Sequence, residues 1–288
     1  MVIPVWIDTD PAVGEAGADV DDGYAILQAL RSPELQIIGI STVFGNTTRP
    51  RADRVARSLL ELAGASHVQL YSGANNAREL GQLTAASREL CAALERQALT
   101  VIALGPLTNV ATALIERPEL AGQIAKVVFV GGRRPGQQFT VNGRGPFPDF
   151  NFECDPAACE VLLASRVPLV LAGFEVSTYA TLTPVHLDRL AKGPPAARWL
   201  ARHSRPWLAR WAEEFRLDGF HPFDTLAIAA VARPEMVALS EAAVTIVGGD
   251  GTAVALVASV GRSGRPVDYA ARAAPDFVDD LLGRLLAG

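Results

Sequence analysis

Cysteine is scarce in this sequence, and Cys91, Cys154 and Cys159 are odd in number and lack the paired spacing of a zinc site. They read as reduced thiols in a reducing compartment, and no chemistry is assigned to them. Lysine is scarcer still, represented by Lys126 and Lys192 alone. The formal net charge is -5 and no Lys/Arg stripe offsets it, which argues against nucleic acid as the main partner because phosphate binding needs clustered cations. The stretches "GGRR" and "RSGR" are too short to change that. No apolar run reaches the roughly 18 to 20 residues that span a bilayer, and the start "IPVWID" has no basic region followed by an apolar one. A cytoplasmic protein without a membrane partner is the expectation. Internal repeats, low-complexity tracts and linker-like shifts in composition are also missing, so residues 1–288 are expected to form one domain, with Gly193 to Pro195 marking the start of a helical subregion.

What is present is apolar content, 49% of residues, enough for a substantial buried core. Short apolar runs, "VWID", "LQIIGISTVFG", "LTVIALG", "AKVVFVGG" and "PLVLAGF", read as buried strands, each followed by an amphipathic pattern. Helices are expected over Asp22 to Arg31, Pro50 to Ala63, Ala85 to Arg96, Leu107 to Glu116, Asp155 to Ala164, Ala197 to Phe215 and Phe223 to Ala232. The alternation predicts parallel strands with right-handed crossovers, an open α/β sheet with helices on both faces. "RRPGQQFTVNGRGPFPDFN" carries Gly, Pro and Asn without a helical period and reads as a long loop, the kind that is often functional.

The stretch "WIDTDPAVGEAGADVDDGYAIL" crowds Asp8, Asp10, Asp21 and Asp22 around a glycine-rich insert. Carboxylates this close repel one another and lose hydration, a cost that protons, hydrogen bonds or a hard divalent cation must offset. Taken singly, Asp8 could end a strand, Asp10 cap a turn, and the Asp21 and Asp22 pair open a helix whose dipole suits negative charge. Together they sit at the carboxyl end of a strand, where open α/β sheets bind ligands. Asn46 in "VFGN", the loop ending "DFN" and Asp224 place further oxygens and amides just after predicted strands or before a helix, and the strand ends of a parallel sheet converge on one edge.

From Trp6 to about Val231, "DTDP", "DDGYAIL", "STVFGNTT", "ALGPLTNVA", "DFNFECDPAA" and "HPFDTLAIAAV" occur in the order seen in the inosine-uridine-preferring nucleoside hydrolases, which the sequence resembles. The resemblance implies a Rossmann-like nucleoside hydrolase fold with one Ca²⁺ ion at the bottom of a deep pocket, where the N-glycosidic bond of a ribonucleoside is cleaved. Asp10, Asp22, Asp224 and the backbone carbonyl of Leu104 would hold the ion. Asp10 would deprotonate the attacking water, Asp21, Asn46 and Asn151 would hold the ribose hydroxyls, and Asp8 would support the floor. A homodimer or homotetramer is implied too. Independently of the family, an oxocarbenium-like transition state is stabilised by anionic oxygens, and an all-oxygen ligand set favours calcium or magnesium over zinc.

The sequence departs from the family pattern in several places. Ala12 to Val20 is an insert, either a solvated loop or one that brings Glu15 or Asp19 to the pocket mouth. Asp149 stands where a longer glutamate would grip the ribose 5′-hydroxyl, and Asn142 aligns loosely with an asparagine of the same loop. Phe223 stands where many members carry a histidine near the leaving base, and Phe cannot protonate it. His221 lies two residues earlier, facing either the pocket or the core. "GANNARELGQLTA" lacks the histidine-glycine loop over the base. Trp199, Trp207, Trp211 and Phe215 recur at roughly helical spacing, as core packing or as a surface on which Trp211 or Phe215 stacks the base. Two other classes compete: a calcium-dependent ribose or nucleoside binder without turnover, and a haloacid-dehalogenase-like phosphatase, which would need a lysine at a strand end that neither Lys126 nor Lys192 supplies.

Overall fold

The computed structural model describes residues 2–249, 252–260 and 263–287. In chain order the elements are β1 (Ile3–Thr9), α1 (Asp21–Leu30), β2 (Leu35–Thr42), α2 (Arg49–Leu62), β3 (Leu70–Ser72), α3 (Ala85–Arg96), β4 (Leu99–Ala103) and α4 (Thr108–Glu116). There follow β5 (Ile124–Val130), β6 (Phe139–Val141), β7 (Arg144–Phe147), α5 (Phe150–Cys154), α6 (Pro156–Ala164), β8 (Leu169–Ala172), α7 (Phe174–Ser177) and α8 (Pro184–Leu190). The chain closes with α9 (Pro195–Phe215), α10 (Thr225–Ala232), β9 (Val237–Gly249), β10 (Thr252–Ser259), β11 (Arg265–Ala273) and α11 (Phe277–Leu286). Local chemistry sets several of these boundaries. Thr84 and Ser87 exchange hydrogen bonds in a capping box at the start of α3, and Asp155 accepts from the Ala158 amide at 3.0 Å ahead of Pro156 in α6.

Nine strands form one sheet in the order β10-β9-β11-β8-β5-β4-β1-β2-β3. From β3 to β11 every neighbouring pair is parallel, and β9 and β10 are added antiparallel at one edge. The chain leaves β1 towards β2 and β3, then returns to place β4, β5 and β8 on the other side. The order therefore reverses between β1 and β4, and a crevice opens beyond their carboxyl ends. Successive strand residues point to opposite layers: Val5, Ile7, Ile102 and Val128 pack with α1, α9, α10 and α11, whereas Trp6, Val101, Val127 and Phe129 pack with α3, α4 and α6. Helices thus cover both faces, as the alternation predicts.

The elements anticipated from periodicity are present with ends shifted by up to three residues. The stretch read as a structureless loop is a correction. It folds into the β6–β7 hairpin, in which Val141 pairs with Arg144 across Asn142 and Gly143, both at positive φ. An Asn-Gly pair between short apolar runs is a strong two-residue hairpin signal, masked here by the surrounding Gly and Pro. The strands β9, β10 and β11 and the helices α8 and α11 add elements that the alternating pattern did not reveal. Among the described residues no helix is long and apolar enough to cross a membrane.

Candidate active site

β1 delivers Asp8 on its last turn of pleat and Asp10 just beyond it, both fully buried. Asp21 and Asp22 open α1, and Asp224 precedes α10, so the amino ends of two helices bring their free N–H groups and positive dipoles to the same place. The nearest carboxylate oxygens of Asp21, Asp22 and Asp224 lie within 4.8 Å of one another. Both readings of the Asp21 and Asp22 pair therefore hold: it opens a helix, and it joins a cluster.

Asp10 is gripped from several sides. Its Oδ2 accepts from the Asn46 amide N–H at 2.5 Å, its own N–H donates to Asp22 Oδ1 at 3.1 Å, and its Oδ1 is buried without a hydrogen-bond partner. A Cβ at Gly45 would overlap Asp10 Oδ2, and one at Gly105 would come within 2.7 Å of Oδ1, so two side-chain-free residues let the backbone close on the carboxylate. The Thr9 hydroxyl donates to Asp22 Oδ1, and the Asn46 side-chain amide reaches Asp22 Oδ2 at 3.4 Å. Asp8 accepts from the Ser41 hydroxyl and, at 2.8 Å, from the Asn109 amide, which ties it to β2 and α4.

Burial pushes the carboxyl groups of Asp10, Asp21 and Asp224 well above the usual carboxylate range, and the charges of their neighbours add to this: chiefly Asp22 on Asp10, Asp19 on Asp21, and Asp21 on Asp224. Burial also raises Asp22, against the hydrogen bond from Thr9, and lifts Asp8 to about 7. Buried, mutually repelling carboxylates with two orphaned oxygens, Asp8 Oδ2 and Asp10 Oδ1, are a donor set for a hard cation. The residues fit such an ion.

Above this floor lies a cavity of about 420 Å³, in the range that encloses small ligands. Asp21, Asp224, Asn46, Leu104, Asn151 and Asp149 all line it, while Asp10 and Asp22 lie beneath its lining. The Asn151 amide donates to the Leu104 carbonyl at 2.6 Å and to the Val130 carbonyl at 3.1 Å, joining α5 to the ends of β4 and β5. Asp149 Oδ2 accepts from the Gly132 N–H at 2.7 Å, and burial raises its pKa to about 7. Asn142 is not brought to the cavity. It sits in the hairpin turn and donates to the Phe215 carbonyl at 2.8 Å, which pins the hairpin to the end of α9.

The aromatic stripe divides. Trp207, Trp211 and Phe215 line the cavity, and Trp199 does not. Phe139 and Phe147 from the hairpin, Phe174 and Phe223 complete a wall whose rings touch edge to face, for example Phe139 against Phe223 with centroids 5.4 Å apart. His221 faces away, its Nδ1 donating to the Ala180 carbonyl at 2.8 Å behind Trp211 and Phe223, and burial holds its pKa down. The insert does reach the mouth: Gly17, Ala18 and Asp19 line it, the Gly17 carbonyl accepts from Arg210 at 2.7 Å, and Glu15 pairs with Arg51 at 3.1 Å. Sequence reasoning missed Thr9, Asn109 and the hairpin phenylalanines. Asn109 lies inside "ALGPLTNVA", where its spacing from the strand end was the available signal.

The family model described as inosine-uridine preferring nucleoside hydrolase matches residues 5–268. The chain belongs to that family. Its members hydrolyse the N-glycosidic bond of nucleosides, and the match runs beyond Val231 into β11. A pyrimidine-specific ribonucleoside hydrolase from Citrobacter koseri is 30% identical over 265 residues, covering 82% of this chain and 81% of that protein. A non-specific ribonucleoside hydrolase from Escherichia fergusonii is 28% identical over 85% of this chain and 84% of that protein. Among solved structures, a plant nucleoside hydrolase superposes over 100% of both chains with a TM-score of 0.85 at 24% identity. A purine-preferring ribonucleoside hydrolase from Gardnerella vaginalis gives 0.84 at 23% identity over 98% of each chain. At these identities the superpositions establish the nucleoside hydrolase fold.

Proposed function

We propose that this family member is a calcium-dependent ribonucleoside hydrolase that releases ribose and a free base, folded as one domain over residues 1–288. The observation that carries the calcium reading is Asp10 Oδ1, a buried oxygen with no partner on a floor of mutually repelling carboxylates. Asp10, Asp22, Asp224 and the Leu104 carbonyl would hold the ion, and Asp21, within reach of the same cluster, would hold a ribose hydroxyl beside it. When bound, the ion would orient water and the ribose 2′ and 3′ hydroxyls and lower the cost of gathering the carboxylates.

This chain's residues do the rest. Asp10, fixed by the Asn46 amide and cramped by Gly45 and Gly105, takes a proton from the attacking water. Asn46, Asn151 and Asp21 hold the ribose hydroxyls, and Asp149 lies where the 5′-hydroxyl would be gripped. The anionic floor stabilises the positive charge that develops on the ribose ring as the C–N bond lengthens.

Asn142 takes no part in this proposal, because, unlike Asn151, it does not line the cavity. The relatives' printed names span pyrimidine-specific, non-specific and purine-preferring hydrolases, and this chain is read as acting on ribonucleosides as a class. A cytoplasmic homodimer or homotetramer completes the reading, with light scattering coupled to gel filtration as its check. The deciding experiment is ribose release from a panel of purine and pyrimidine ribonucleosides, with calcium and then with excess chelator. Chelator-sensitive release supports the proposal. Calcium-dependent heat of nucleoside binding without ribose would replace it with a binding protein.

A further inference from the structure

The cavity lining is chemically lopsided. Asp19, Asp21, Asp149, Glu214 and Asp224 contribute five carboxyl groups, and the one basic side chain among the lining residues is Arg210. That arginine is already engaged: its Nε donates to Glu214 at 2.8 Å, its Nη1 donates to the Gly17 carbonyl at 2.7 Å, and its guanidinium lies over Trp207 at 5.2 Å from the ring centroid. One divalent cation on the floor would still leave the lining with carboxyl groups well in excess of basic side chains.

Aromatic rings make up a large part of the remaining lining. Phe139 meets Phe174 at 4.6 Å and Phe223 at 5.4 Å between centroids, and Phe147 meets Phe215 at 5.5 Å. Trp211 meets Phe215 at 5.1 Å. Neither Phe223 nor any other of these rings can give a proton to a departing nitrogen. His221, the nearest imidazole in sequence, uses its N–H on Ala180 and lies behind the rings. Aromatic faces attract cations, and a cation beside them would draw the lining carboxyls into their ionised form, whereas a neutral base leaving as an anion is stabilised by neither feature.

We propose that the leaving group this site favours is a cationic aromatic ring: the N-riboside of a pyridinium or of an N-alkylated purinium. The proposal deepens the hydrolase reading and rests on it. As water adds to ribose C1′, the C1′–N bond breaks and its electron pair passes to the ring nitrogen, cancelling that ring's charge, so the heteroarene departs neutral without being protonated. One proton of the water remains on the new C1′ hydroxyl, and the other passes to Asp10 and then to solvent. Each turnover therefore releases one proton, and Phe223 is compatible with catalysis because no acid is required at its position.

The test pairs substrates that differ by one methyl group and one charge, 7-methylguanosine and guanosine, using the calcium-loaded protein. After each kcat/KM is divided by the uncatalysed hydrolysis rate of the same compound, the cationic nucleoside should lead by about tenfold, the scale of a desolvated cation–π contact. Calorimetry supplies a readout free of intrinsic lability: 1-methylpyridinium-3-carboxamide should bind about tenfold more tightly than neutral pyridine-3-carboxamide. The Phe223→His variant should shift the ratio of kcat/KM for 7-methylguanosine over guanosine by at least about tenfold towards guanosine, because only the neutral base gains from an acid while the cation loses one ring face. Equal normalised rates together with equal binding of the two carboxamides would overturn the proposal and leave the hydrolase reading standing. No ribose from any substrate would overturn both.

Discussion

The floor and the wall of the cavity are built on different principles. At the floor, Asp8, Asp10 and Asp22 sit at a strand end and a helix start, and with Asn46 they join a hydrogen-bond network that includes Thr9, Ser41 and Asn109 and leaves Asp8 Oδ2 and Asp10 Oδ1 unpartnered. The wall is apolar, drawn from a hairpin, the end of α9 and an insert, and it is held by a few peripheral bonds such as Asn142 to Phe215 and Arg210 to Gly17. Geometry at the floor is therefore dictated by the sheet, while the wall can change its chemistry without disturbing the sheet. The difference teaches that the reaction type is fixed at the switch point and that the choice of leaving group is left to replaceable elements.

The largest break in that comparison should come from Asp10→Asn. Steady-state ribose release should show kcat lowered by about 10³-fold, the range for a lost general base. Unchanged kcat would remove Asp10 from its role. Next comes the linkage of the floor to pH and metal. Asp8 and Asp149, raised to about 7 in the fold from an ordinary value of 3.8, favour the folded state fully below pH 4 and lose that contribution as pH rises towards 7. The chelated protein should therefore lose thermal stability between pH 5 and pH 8. Calcium, which needs ionised ligands, should add about 3 kcal/mol at pH 8 when present at 100 times its dissociation constant, and far less at pH 5. Scanning calorimetry in the two buffers checks both signs.

A smaller effect is expected from Gly105→Ala. Its Cβ would stand 2.7 Å from Asp10 Oδ1, and turning the carboxylate should lower kcat by about tenfold or more, with KM changed less. An unaffected kcat would mean that the carboxylate has room to move. The wall should respond most mildly. Asn142→Ala removes one bond between the hairpin and α9, costing about 1 kcal/mol, and should raise KM a few-fold with kcat nearly constant. A larger fall in kcat than rise in KM would show that Asn142 does reach the substrate.

Legibility followed the same division. Asp8, Asp10, Asp21, Asp22 and Asp224 were readable because each ends a strand or opens a helix, and the edge where parallel strands end is known before any coordinates. Asn142 stands off the cavity lining because alignment gives a residue's neighbourhood and not its direction: one residue into a hairpin turn, its amide points at Phe215. Phe139 and Phe147 were overlooked because the loop pattern hid the Asn-Gly turn that folds them over the site. Trp207 and Trp199 have the same spacing signal, and only the packing of α9 separates the one that lines the cavity from the one that does not.

By itself, the sequence determined the layer architecture and the crowding of carboxylates at the end of β1, because hydrophobic period and strand-end position are local properties that any fold of this chain must respect. Tertiary structure alone decided that Asp10 carries an orphaned oxygen between Gly45 and Gly105, that His221 turns its N–H to Ala180, and that the insert is tied to α9 through Arg210. Those outcomes depend on atoms 30 to nearly 200 residues apart meeting within a few ångströms, a condition set by packing and by the pairing of buried polar groups that no local pattern encodes.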